Sequence, residues 1–133
     1  MTSPSSIAAG YLKDWAGPPA GERPTGYIII LGDTRIAQNY NCDQGIAAQS
    51  ILLGAVERGL GGCMVGSITR EGLSKAFSIP ERFSILLVVA LGKPSETVVL
   101  EDAKNSKDLD YWRDIADIHH VPKRPLSDLL VEL

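Results

Sequence analysis

The chain has no excess of positive charge. Its 133 residues hold 13 Lys and Arg against 16 Asp and Glu, a net charge of −3. A nucleic-acid binder would show a basic patch or stripe. Here the basic residues are scattered, apart from the pair Lys123-Arg124. Cysteine is scarce: Cys42 and Cys63 are the only two, and neither belongs to a CxxC pair. Two thiols make no disulfide framework, and they fit a reduced, cytoplasmic protein. Long apolar runs are absent. The longest, ILLVVAL over 85–91, is far too short to cross a bilayer. The N-terminal MTSPSSIAAG has neither the basic nor the apolar region of a signal peptide. Histidine is limited to His119 and His120, and nothing in the sequence sets either as the base of a nucleophile. These absences argue against a nucleic-acid binder, a membrane span, a disulfide scaffold and a triad hydrolase.

What is present reads as one domain over 1–133: an irregular lead-in (1–26), a core (27–92) and a tail (93–133). The lead-in is rich in proline and glycine, and only AAGYLKDWA (8–16) has room for a helical turn. YIIIL (27–31) reads as a buried strand closed by Gly32-Asp33. A helix is expected from about Cys42 to Arg58, with Asn41 as N-cap, Gln44 at the capping-box spacing and Asp43 in the first turn. From Gly45 to Val56 this helix carries no charge, and only Gln49 and Ser50 are polar. A surface helix would show one polar face. This one is expected to be buried on most sides, which calls for a partner subunit. GGCMVGSI (61–68) reads as the next extended piece. TREGLSKAFSI (69–79) reads as a short helix capped by Thr69, with Leu73, Ala76 and Phe77 inward and Pro80 as its stop. SILLVVALG (84–92) is the strongest strand signal. The tail reads as charged and mostly irregular, with a last helical turn or two over 125–133 that has Pro125 at its first position. The order β-α-β-α-β predicts an α+β, mixed α/β layer fold, with a mixed sheet packed on the long buried helix.

ERGLGGCMVGSI (57–68) holds four glycines. A phosphate loop places its glycines before a helix, whose N-terminus then meets the anion. Here the glycines follow a helix, and neither GxxxxGK[ST] nor GxGxxG occurs. Gly59 suits a left-handed C-cap. Gly66, inside the extended piece, marks a place where something approaches the backbone closely.

DQGIAAQSILLGAVERGLGGCMVGSI, LSKAFSIPERFSILLVVALGKPSE and VPKRPLSDLL resemble the C-terminal portion of the nitroreductase family of FMN flavoproteins. AGYLKDWAGPPAGERPTGYIIILGD is similar to the middle of one branch of that family. The resemblance implies a homodimer with FMN at its interface, built in part from helix 45–58. It implies that Met64, Val65, Gly66 and Ser67 lie against the flavin ring, and that Lys123 and Arg124 grip the FMN phosphate through charge-assisted hydrogen bonds. The implied chemistry belongs mainly to the cofactor: hydride passes from NAD(P)H through FMN to a nitroaromatic or quinone-type acceptor.

The family's N-terminal segment, whose arginines hold the FMN phosphate, has no counterpart in this sequence, and Arg23 and Arg35 lie in other segments. The resemblance is therefore to a truncated nitroreductase-like domain. Two other readings stay open at this point. One is a flavin-free remnant serving as an oligomeric binding or scaffold protein. The other is metal or cluster binding through Cys42, Cys63, His119 and His120, whose spacings match no zinc pattern. As bland alternatives, Cys63 is a packed thiol, and His119-His120 and Lys123-Arg124 are solvated surface pairs.

Overall fold

The structure, a computed structural model, describes residues 19–105 and 108–131. The expected helical turn at 8–16 lies outside these residues. The described residues form two compact units, one over 19–94 and one from 95 to 131.

The first unit follows the expected order: β1 (Gly26–Asp33), α1 (Asp43–Glu57), β2 (Gly61–Val65), α2 (Arg70–Ala76) and β3 (Phe83–Gly92). A one-turn 3₁₀ helix at Ala20–Glu22 precedes β1, where the proline-rich lead-in was expected to hold no regular element. The strands form one sheet in the order β1-β3-β2. Its most apolar strand, β3, lies in the middle, as burial on both faces requires. Both flanking strands run antiparallel to β3, so this sheet is antiparallel rather than mixed.

The β1–β3 register shifts between Ile30 and Leu31, which face Leu87 and Ile85. Leu86 is thus an extra residue, a β-bulge. A bulge changes the parity of the pleat, and so Ile85 joins Val88 and Ala90 on one face. With Val65 they form a buried cluster against which Ile29, Ile68, Leu73 and Ile79 pack. Helix α2 therefore contributes Leu73 to the core, while Phe77, expected inward, is 66% exposed and Ala76 is exposed too. The helix stops at Ala76, one turn before Pro80, so Phe77 lies past its inward face.

Both helices end in the same motif. After α1, Gly59 N–H donates to Val56 O and Leu60 N–H to Ala55 O, with Gly59 at φ +71°. After α2, Ser78 N–H donates to Lys75 O and Ile79 N–H to Ser74 O, with Ser78 at φ +50°. These are Schellman pairs, which satisfy the last helical carbonyls. The first was expected from Gly59. The second has a serine where the backbone favours glycine.

At the other end of α1, the N-cap is Cys42 rather than Asn41. Asn41 has φ +45° and donates its N–H to the Asn39 side chain, a turn geometry that no N-cap adopts. Gln44 reaches back to the Asn41 carbonyl instead of closing a capping box. Within this chain α1 buries only Ala48 and Ala55. Ile46, Leu53 and Val56 are 62–67% exposed. The helix is thus covered on one face by β2 and β3, not on most sides.

The second unit corrects the expectation of an irregular tail. β4 (Val98–Asp102), β5 (Trp112–Arg113) and β6 (His119–Lys123) form a sheet in the order β4-β6-β5. β4 runs parallel to β6, and β5 antiparallel, so this sheet is mixed. Pro122 is tolerated in the middle strand because β5 pairs only with His119 and His120, leaving one side of Pro122 open. The last helical turn is 3₁₀, Leu126–Asp128, with Pro125 as its N-cap. Among the described residues no helix is long and apolar enough to cross a membrane.

Candidate functional site

Three of the four glycines of the 57–68 stretch have a reason to be glycine, and the reasons are of two kinds. Gly59 has its positive φ. Gly61 and Gly62 are demanded by packing. A Cβ on Gly61 would lie 2.9 Å from Pro94 Cγ. One on Gly62 would lie 2.5 Å from Ala90 O and 2.9 Å from Leu52 Cδ2, so only glycine lets α1 settle on β2 and β3. Gly66 differs from all of these. A Cβ there would meet nothing within 4 Å, and no left-handed φ calls for glycine. Nothing among the described residues explains its bareness.

The strand ends before this glycine. β2 stops at Val65, and Gly66 to Thr69 lie outside the ladder, with Ile68 N–H donating back to Gly66 O across a tight turn. The expected strand over 61–68 is therefore three residues shorter. It ends because Gly66 supplies no side chain to pack. The sequence-predicted ring-facing residues divide accordingly. Val65 points into the core at 3% exposure and offers only its backbone, while Met64 (41%), Gly66 and Ser67 are exposed. β2 is an edge strand, paired with β3 alone.

Arg70 was not singled out from the sequence. It sits in the first turn of α2, where the helix dipole disfavours a cation. Its place is explained by β3. Where β2 ends, the β3 edge loses its partner, and Arg70 donates from Nε to Ile85 O (3.0 Å) and from Nη2 to Leu86 O (3.4 Å). The guanidinium thus replaces the missing strand at the bulge. A cation at a disfavoured helix position was the signal in the sequence.

An open groove of about 490 Å³ runs along α1, lined by Cys42, Gly45, Ile46, Gln49 and Ser50. None of Met64 to Ser67 lines it. Both cysteines are exposed and neither is in a disulfide, so Cys63 is not the packed thiol its apolar strand suggested. The reason is its place on an edge strand.

In the second unit, Lys123 ends β6 opposite Asp102, and Lys123 and Arg124 are both exposed. The histidines are not solvated. His119 and His120 side chains are 20% and 14% exposed, because β6 is the middle strand. His120 Nδ1 lies 2.5 Å from Glu101 Oε1, and its Nε2 lies 3.5 Å from Asp114 Oδ2. Trp112 stacks on the His120 ring, centroids 4.0 Å apart and planes 7° apart. His119 Nδ1 lies 3.1 Å from Glu96 Oε2, which also accepts from Arg113 Nη2. The Asp114 carboxyl is lowered from its ordinary value, first by the Ile118 amide, against some burial, and then by the Ala116 amide and His120. The partners of both histidines are carboxylates and rings. Among the described residues no group of three or more His, Cys, Asp or Glu side chains is arranged to hold a metal ion.

Comparison with known proteins places these elements in context. The description "Nitroreductase family" matches residues 7–93. A similar solved structure is an FMN-dependent nitroreductase from Clostridium difficile R20291, 26% identical, with a TM-score of 0.49. The match covers 63% of this chain and 52% of that one, so the chain spans about half the length of that protein.

Proposed function

The chain belongs to the nitroreductase family, and from that premise we propose that it is an FMN-dependent oxidoreductase using NAD(P)H as reductant and nitroaromatic or quinone-type acceptors. The observation that carries this reading is Gly66. It is exposed, it follows the end of an edge strand, and its missing side chain leaves open space that no other described residue fills. That surface fits a flat ring. Met64 would supply an apolar side chain against it, and the backbone of Val65, Gly66 and Ser67 would supply polar groups. Arg70 would hold the segment's base against β3. Lys123 and Arg124 are proposed as cations for the cofactor phosphate on their chemistry and exposure alone. When bound, FMN supplies the hydride chemistry; the chain binds and orients it. We place this activity in the cytoplasm, where both exposed thiols stay reduced.

The test is the visible absorption spectrum of purified protein after incubation with FMN and desalting. Retained flavin absorbance, reduced for Gly66→Leu at unchanged stability, supports the reading. Protein that loses all FMN under these conditions overturns it.

The exposed stripe Ile46, Leu53 and Val56 favours self-association through α1. Apolar side chains regularly spaced along one helix face normally meet a partner. We propose a homodimer through this face. Sedimentation velocity of the wild type and of Leu53→Glu tests it: a dimer that the substitution splits supports the proposal, and a wild-type monomer overturns it. A dimer that never holds FMN would favour the scaffold reading instead.

A further inference from the structure

We propose that His120 is an imidazolium clasp in the second unit: carrying two N–H groups, it ties Glu101 of β4 and Asp114 beyond β5 to the middle strand β6, and losing its proton loosens β4.

His120 Nδ1 is hydrogen-bonded to Glu101 Oε1, while its buried Nε2, which has no hydrogen-bond partner among the described residues, faces Asp114 Oδ2 at an ion-pair distance of 3.5 Å. A neutral imidazole has one N–H and one lone pair, whereas the imidazolium has two N–H groups. In the neutral form, one nitrogen would therefore aim a lone pair at a carboxylate oxygen. The Asp114 carboxylate is fixed from outside the ring. Glu101 sits in the β4 ladder, and Asp114 Oδ1 accepts from the Ala116 and Ile118 amides, both at 2.9 Å. Trp112 covers one ring face and restricts its rotation. A partial rotation of the ring away from either partner loses that stack.

Among the described residues no other charge opposes this assignment. Along β6, the neighbouring His119 faces Glu96, and Lys123 lies at the exposed end of the strand. From β5, Arg113 is engaged by Glu96 and Asp117. The groups facing His120 itself are the two carboxylates and the indole. Accordingly its pKa is raised above 6.5, first by the Glu101 hydrogen bond, with burial opposing and Asp114 adding. A group raised on folding stabilises the fold fully below its unfolded pKa. That contribution is lost as pH rises through the folded value.

Trp112 makes the clasp observable, since an imidazolium stacked on an indole quenches its fluorescence more than a neutral imidazole does. The experiment follows Trp112 emission of the Trp15→Phe protein from pH 5 to 9, beside hydrogen exchange of the β4 amides corrected for intrinsic base catalysis. Emission is expected to rise with a midpoint above about 6.5. Glu101→Gln and Asp114→Asn should each move that midpoint down. Protection of β4 should fall across the same transition, while protection in β3 stays constant. His120→Gln, if folded, should abolish the transition. A midpoint at or below the ordinary histidine value, or β4 protection equal on both sides of it, overturns the proposal.

Discussion

Arg70 donates from its Nε to the carbonyl of Ile85, 15 residues along the chain, at 3.0 Å. Its Nη2 reaches the next carbonyl, at the Leu86 bulge. Carbonyls of a middle strand beyond the reach of its neighbour must find donors, or their burial costs free energy. Arg70→Ala is therefore expected to destabilise the protein by about 1–3 kcal/mol, the range for a hydrogen bond to a charged group or an orphaned acceptor. Urea unfolding at unchanged m measures it. Arg70→Lys should recover only part, since an ammonium lacks the fork. A loss under about 0.5 kcal/mol would mean that water serves these carbonyls equally well.

Gly62 and Gly66 should respond oppositely to alanine. At Gly62 the added Cβ meets backbone oxygen and Leu52. Such overpacking should cost about 1–3 kcal/mol in chemical denaturation. At Gly66 the Cβ enters open space, and stability should stay within about 0.5 kcal/mol of wild type. Under the flavin reading, Gly66→Ala should nevertheless retain less FMN after desalting. Equal retention would remove Gly66 from the ring-facing set.

Ser78→Gly should stabilise the protein. Ser78 holds the C-terminal position of a Schellman motif at φ +50°, where a side chain costs roughly 1–2 kcal/mol relative to glycine. Part of that gain is offset by the entropy of the unfolded glycine chain. A net rise of about 1 kcal/mol in thermal or urea unfolding is expected. Gly59→Ala, at φ +71°, should shift stability the other way by a similar amount.

Asp114 predicts the acid limb of the stability profile. Its pKa is lowered in the folded protein, first by the Ile118 amide. A depressed carboxylate contributes stability above its unfolded pKa of about 3.9, and that contribution disappears as pH falls through the folded value. Thermal melts of the wild type should therefore decline below about pH 4. Asp114→Asn should melt at lower temperature near neutrality and show a flatter acid decline. An identical acid limb in both proteins would mean that other carboxylates govern it.

Much of the first unit was legible in order but not in extent. The β-α-β-α-β succession follows from apolar runs punctuated by glycine and proline. The close of α1 followed from Gly59, because one backbone angle decides it. Boundaries were less readable. Asn41 has the right chemistry for an N-cap, but the turn at Asn39 claims its backbone, so the cap moves to Cys42. Phe77 has the right spacing for an inward residue but follows the last helical turn. The tail was the largest miss. Its strands are short and charged and carry a proline, and none alternates cleanly between polar and apolar.

By itself, then, the sequence determined local conformation, the family and the charge-free character of α1, since each depends on neighbouring residues or on a run of matching ones. Tertiary structure alone decided which glycines are packing necessities and which is bare for no internal reason, because a Cβ clash needs a neighbour from elsewhere in the chain. It alone turned His120 from a tail residue into a ring held between Glu101 and Asp114. Those two carboxylates stand 19 and six residues away, and only strand pairing brings them to the imidazole.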